Sequence, residues 1–392
     1  TKLDEHRSQI FEAVLEDDAT KLSNVVETVK KYFILSDVMD PNNGMMNALN
    51  FAIERGKFAS TNYLIDVADE NMLLHQYTVP DLNTPRTALH QLTITNDFAP
   101  EELKLARKIL DRLKNKKEAL TLETKFEVKG QRERTFPCLL LASLLGKKKL
   151  AKLYLEVGLT CGLDANQKNS KNDTAILWAA RSGHDKIVKY LLKNDADPNI
   201  GNDKLSTALH WAVRYERKST VETLLKFPKT DVNKMRSLGL FTPLIMASAY
   251  GFVDIVKVLI AHDADVNFRA PGGTVALHIA VEEGHIDVVR LLIRNKADLS
   301  IEDDKGDRAI IIAARKGFSQ IVLSLLHWKD DPYKKNHMGH DAWYYAIESD
   351  DDKVLRVLLD YYHLKPEINT DTDWKCISDE IPSIHCSFHW KV

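Results

Sequence analysis

Cysteine is scarce in this chain: four residues in 392, at Cys138, Cys161, Cys376 and Cys386. Thiols so few and so scattered do not make the dense disulfide framework of a small secreted domain, so a reducing cytosol is the expected setting. Long apolar runs are missing too. The longest, such as "CLLLASLLG" at 138–146, reach about half of the ~20 residues that a membrane-spanning helix needs. A secretory leader is not expected, because "TKLDEHRSQIFEAVLEDD" at 1–18 carries acids where a leader has its apolar core. Net charge nearly vanishes, with 54 Lys and Arg against 56 Asp and Glu. That balance excludes a globally basic nucleic-acid binder and leaves only local patches open. Nor does the chain hold a GxxxxGK[ST] phosphate loop, a GxGxxG turn after a strand or an HExxH zinc helix. Neither catalysis nor a cofactor has a foothold in these patterns.

What the chain has is a period. Segments opening at Thr174, Thr207, Thr242, Val275, Arg308 and Asp341 follow one another at spacings of 33, 35, 33, 33 and 33 residues. Among them are "TAILWAARSGHDKIVKYLLKNDADPN", "TPLIMASAYGFVDIVKVLIAHDADVN" and "VALHIAVEEGHIDVVRLLIRNKADLS". In each, a threonine or its substitute stands where it can cap a first helix. Small residues such as Ala179, Ala212, Ala247 and Ala280 allow that helix close neighbours, and Gly183, Gly251, Gly284 and Gly317 sit at its end, where a left-handed residue is wanted. A V-x-x-L-L spacing, as in Val188, Leu191 and Leu192, then lays one apolar stripe along a second helix. A unit of 33 residues cannot bury that stripe alone, so the units must stack.

This pattern resembles the ankyrin repeat, with its T-P-L-H-x-A opening and G-A-D-V-N close, across residues 170–365. The fold expected is therefore an all-α ankyrin solenoid of about ten helix-turn-helix repeats with hairpin loops. Divergent units occupy 1–136, among them "NALNFAIERGKFASTNYLID" at 47–66 and "TALHQL" at 87–92, the latter followed by a second helix over 100–120. Regular repeats fill 137–365, and 366–392 is a C-terminal cap or tail. "TLETKFEVKGQRERTF" at 121–136 is predicted to be an extended hairpin finger. The resemblance also assigns the histidines: His210 and His278, fourth in T-P-L-H, hydrogen-bond between neighbouring units, and His184 and His285 in the G-H slot are likewise structural.

Cys376, His385, Cys386 and His389 lie within 14 residues of one another, but their spacing departs from zinc-ligand pairs, so no metal is expected. Between 101 and 152 there are 15 basic against 7 acidic residues, either a solvated face or a shoulder for an acidic or anionic partner. Aromatic residues are not interleaved there as single-strand nucleic-acid binding would want, so nucleic acid is not the expected partner.

The resemblance further implies that a partner protein is held by hairpin tips and the open side of the first helices. The matching positions give Arg181, Arg214, Tyr215, Leu238, Phe241, Tyr250, Glu282, Glu283, Arg315 and Lys316. Aromatic residues beside arginine at the centre of such a surface are what binding hot spots favour, although Phe241 and Leu238 serve equally to pack the hairpin. Asn199, Asn233 and Asn267, closing their units, are implied as substrates of asparaginyl hydroxylation. The expected function is thus a monomeric, cytoplasmic protein–protein interaction scaffold or adaptor. Two alternatives stay open: the targeting or regulatory region of a larger enzyme or channel, and a secreted effector that imitates host ankyrin proteins.

Overall fold

Two kinds of helix alternate along the chain, and their burial explains both. First helices are apolar almost all round and bury nearly every side chain, as in the helix Ala309–Arg315, where residues 309–314 are all inside. Second helices are amphipathic and bury one stripe. Burying four aliphatic side chains of such a stripe contributes on the order of 8 kcal/mol, most of it offset by the entropy of ordering the helix. The computed structural model describes residues 2–30, 35, 38–40, 46–79, 84–95, 101–126, 134–237, 241–349 and 352–362.

They form two compact units, residues 1–203 with 226–230, and residues 204–225 with 231–392. The first unit opens with the helix pair α1 (Lys2–Glu16) and α2 (Ala19–Val29), then the two-stranded ribbon β1 (Met39–Asp40) and β2 (Met46–Asn47). Next come α3 (Ala48–Glu54), α4 (Phe58–Val67) and α5 (Glu70–Leu74), and the ribbon β3 (Tyr77–Val79) and β4 (Thr84–Arg86). Then follow α6 (Ala88–Ile94), α7 (Glu102–Arg112), α8 (Lys116–Thr121), and β5 (Thr124–Lys125) with β6 (Thr135–Phe136). The pairs α9 (Cys138–Leu145) with α10 (Lys148–Thr160), and α11 (Ala175–Ser182) with α12 (Asp185–Lys193), complete the unit. All three ribbons are antiparallel, in registers such as Met39 opposite Asn47, Thr78 opposite Pro85 and Thr124 opposite Phe136.

The second unit is a run of pairs: α13 (Ala208–Arg214) with α14 (Lys218–Leu225), and α15 (Pro243–Ala249) with α16 (Val253–Ala261). After them stand α17 (Ala276–Glu282) with α18 (Ile286–Arg294), α19 (Ala309–Arg315) with α20 (Ser319–His327), and α21 (Ala342–Glu348) with α22 (Lys353–Tyr361).

Two expectations need correction. The helix predicted over 100–120 is broken, because Leu113 is buried with an extended backbone and Asn115 starts α8 afresh by accepting from the Glu118 amide. Thr174 does not cap α11, since its buried hydroxyl makes no hydrogen bond, whereas Thr242 accepts from the Ile245 amide at 3.3 Å. The glycine that opens G-A-D-V-N is absent at the ends of the second helices. Asp195, Asp263, Lys296 and Lys329 hold the left-handed conformation there instead, at φ of 63 to 66°, and each costs roughly 1 kcal/mol relative to glycine. The predicted finger has a paired base in β5 and β6; its tip, with Gly130, lies outside the described residues.

Candidate functional site

The structural histidines come first, because they hold the first helices in place. The His210 ring lies 2.9 Å from the Thr207 hydroxyl at Nδ1 and 3.1 Å from the Phe241 carbonyl at Nε2, tying its own helix start to the next hairpin. His90 repeats this with Thr87 and the Phe136 carbonyl, and His278 reaches the Ile301 carbonyl at 3.1 Å. Burial pushes His90 and His210 down to about 4, and lowers His278 in the same direction. Such imidazoles stay neutral near pH 7 and face no cleft. They act as struts, without general acid–base geometry.

His184 and His285 do a related job from the start of the second helices. Each Nε2 lies 3.0 Å from a carbonyl one repeat back, that of Leu144 and that of Ala249. Both rings lie flat over a glycine: a Cβ on Gly251 would stand 2.6 Å from His285 Nδ1. Glycine is needed at 251 twice, for its φ of +71° and for this close approach.

With the helices so held, the ends of α13 and α15 carry Tyr215 and Tyr250. Tyr215 stacks on Trp211, ring centres 5.7 Å apart and planes within 3°. It is half-buried, so part of its surface is committed to packing. Tyr250 is 43 % exposed and meets Phe252 at 5.4 Å. Phe241 is half-buried, and its carbonyl also accepts from the Arg236 amide at 3.2 Å. Arg214 is exposed. Arg236, which the positional reading missed, is half-buried near both Arg214 and Tyr250. Burial, then the Arg214 charge, lowers its pKa while Tyr250 raises it. The signal that could have found Arg236 is the 35-residue step from Thr207 to Thr242, two residues longer than the period.

Not every expected side chain is free. Arg181, in the first unit, is buried, with its guanidinium 5.3 Å from the Trp178 ring centre; it is a packed cation and not a rim charge. Arg315 is exposed, but it is paired with the fully buried carboxylate of Asp307 and lies 5.7 Å over Tyr345, so it is not a free cation. Lys316 pairs with Glu282 at 3.6 Å, whereas Glu283 is exposed. Leu238 lies outside the described residues, as do Cys376, His385, Cys386 and His389. Among the described residues no His, Cys, Asp and Glu group could hold a metal, and no helix is long and apolar enough to cross a membrane.

Part of the basic charge between 101 and 152 is structural. Lys108 pairs with Asp66 at 2.7 Å, Lys147 with Glu102 at 2.8 Å, and Lys152 lies over the Tyr190 ring. The closing asparagines form a ladder. Asn199 donates to the Lys229 carbonyl, Asn233 accepts from the Asp265 amide, and Asn267 bridges the Lys296 carbonyl and the Asp298 amide.

Comparison with known proteins bears on this arrangement. A family model described as ankyrin repeats, in three copies, matches residues 139–236 and 228–303. No curated protein matches. Among solved structures, the ankyrin repeat domain of Bcl-3, described as a unique member of the IkappaB protein family, is similar at 21 % identity and a TM-score of 0.53. That match covers 56 % of this chain and 96 % of that one. The human ASB11 ankyrin repeat domain is similar at 22 % identity and a TM-score of 0.49, covering 57 % of this chain and 96 % of its own. At 21 % identity the likeness to the Bcl-3 domain is one of fold.

Proposed function

Because residues 139–303 match ankyrin repeats, we propose that this chain is a scaffold or adaptor that holds a partner protein on the first-helix surface of its second unit. The observation that carries the proposal is the exposed Tyr250 beside Arg214 and Arg236. An aromatic ring with guanidinium groups near it supplies apolar area and directed hydrogen bonds together, the combination in which binding energy concentrates. Phe241 and Tyr215 border it. Glu282, Glu283 and Lys316 extend the surface over the next two repeats as a mixed-charge edge that would set association rate more than affinity. Cytoplasmic location and a monomeric state belong to the same proposal, as does an acidic partner for the lysines of 101–152 that remain exposed.

The test is affinity capture with the wild-type chain and with Tyr250→Ala/Arg214→Ala, followed by calorimetry against what is recovered. Tyr215 is left out because its stack on Trp211 would confuse binding with stability. The double variant should melt as the wild type does and lose roughly 2 kcal/mol or more of binding, about thirtyfold. Undiminished affinity would sink the proposed surface.

A further inference from the structure

A groove of about 230 Å³ lies on the second helices of the second unit, between α18 and α20, and so apart from the first-helix surface. Arg290 and Arg294 line one wall; Gln320, Ser324, His327 and Trp328 line the other. The two arginines are four residues apart on α18, so their guanidinium groups share one helix face. Among the described residues neither makes an ion pair or a hydrogen bond. Three other arginines of this unit are paired: Arg308 with Glu302 at 3.5 Å, Arg315 with Asp307 and Arg356 with Asp352. No carboxylate lines the groove. At its far end Trp328 is 49 % exposed, and the His327 ring is braced edge-on by Tyr361 at 5.9 Å.

We propose that this groove is a second docking site, which takes an acidic linear segment of a partner protein with an apolar side chain beside its carboxylates. The charge argument is direct. Two unpaired guanidinium groups on one face match two carboxylates of an extended or helical peptide, and each such hydrogen bond is charge-assisted. The exposed indole offers the apolar side chain a flat surface to cover. Ser324 and Gln320 supply neutral hydrogen-bonding groups between the two. A nucleic-acid strand fits less well, because successive bases need a series of stacking rings and the groove presents one indole.

The experiment uses the full chain and a fluorescein-labelled peptide alternating glutamate and leucine, read by anisotropy at low and at moderate salt. Saturable binding that weakens with salt is expected. Arg290→Glu/Arg294→Glu should weaken it at least tenfold, and Trp328→Ala should also weaken it. Lys186→Glu/Lys189→Glu makes the same change in net charge at two exposed lysines of the first unit, outside 101–152, and should leave it unaltered. Circular dichroism melts check that all variants fold. Equal loss in the lysine variant, absence of saturable binding, or tighter binding of a labelled oligothymidine would each overturn the assignment.

Discussion

Lowering the pH from about 7 to about 5 should loosen both units, and the buried histidines say by how much. His210 carries its proton on Nε2, where it donates to the Phe241 carbonyl, while Nδ1 faces the Thr207 amide at 3.3 Å. A second proton would go on Nδ1 and make a buried cation. Burial is the main penalty, the Arg236 charge adds to it, and the folded pKa falls from 6.5 to about 4. His90 has the same geometry with Thr87 and Phe136 in the first unit. Between these pKa values the unfolded chain binds more protons than the folded one, so stability is complete above about pH 6.5 and is lost as pH falls towards about 4. For a shift of this size each histidine removes about 2 kcal/mol by about pH 5. The assay is direct: carbon–proton correlation spectra of the imidazole rings across the pH range, with urea unfolding of wild type and His210→Gln. The rings of His90 and His210 should keep neutral shifts down to about pH 5. His210→Gln should be less stable near neutral pH yet lose less on acidification. A His210 ring titrating near pH 6.5 in the folded protein would refute the reasoning.

Asp330 acts with the opposite sign. It is buried, accepts from the Asp331 amide, and is pushed up to about 7, so its contribution is present at acid pH and lost as pH rises through about 7. Asp330→Asn should therefore gain about 4 kcal/mol at about pH 8 and less than half of that at about pH 5, as read by urea midpoints at the two pH values. Gly251→Ala should cost clearly more than Gly317→Ala. Both add a Cβ at positive φ, for roughly 1 kcal/mol, but only the former drives it into a neighbouring ring, His285, while position 317 is open; equal melting temperatures would discard the role given to that ring. Finally, Asn199, Asn233 and Asn267 are proposed hydroxylation sites. Peptide mass spectrometry of protein made in animal cells should find one added oxygen on at least one of them, and unmodified peptides at all three would end the proposal for those cells.

The repeat frame was legible in the sequence because each frame residue works against a neighbour about one period away, and the same neighbour recurs. Once the period is seen, Ala247, Gly251, His210 and the stripe of α18 explain themselves, and the histidines cease to look catalytic. Side-chain commitments at the surface had no such signal. Arg181 and Arg214 stand at equivalent places in consecutive repeats, yet one lies over Trp178 and the other is exposed. Arg315 looked like a free rim cation until the buried Asp307, eight residues back, was seen to hold it. Arg236 joined the aromatic surface from a hairpin of unusual length, and α7 ended early because Leu113 turned inward. The array was determined by the sequence itself, through apolar periodicity and local backbone chemistry. Which charges are free to meet a partner was decided only in the tertiary structure, because pairing depends on rotamers and on residues that fold alone brings within hydrogen-bonding distance.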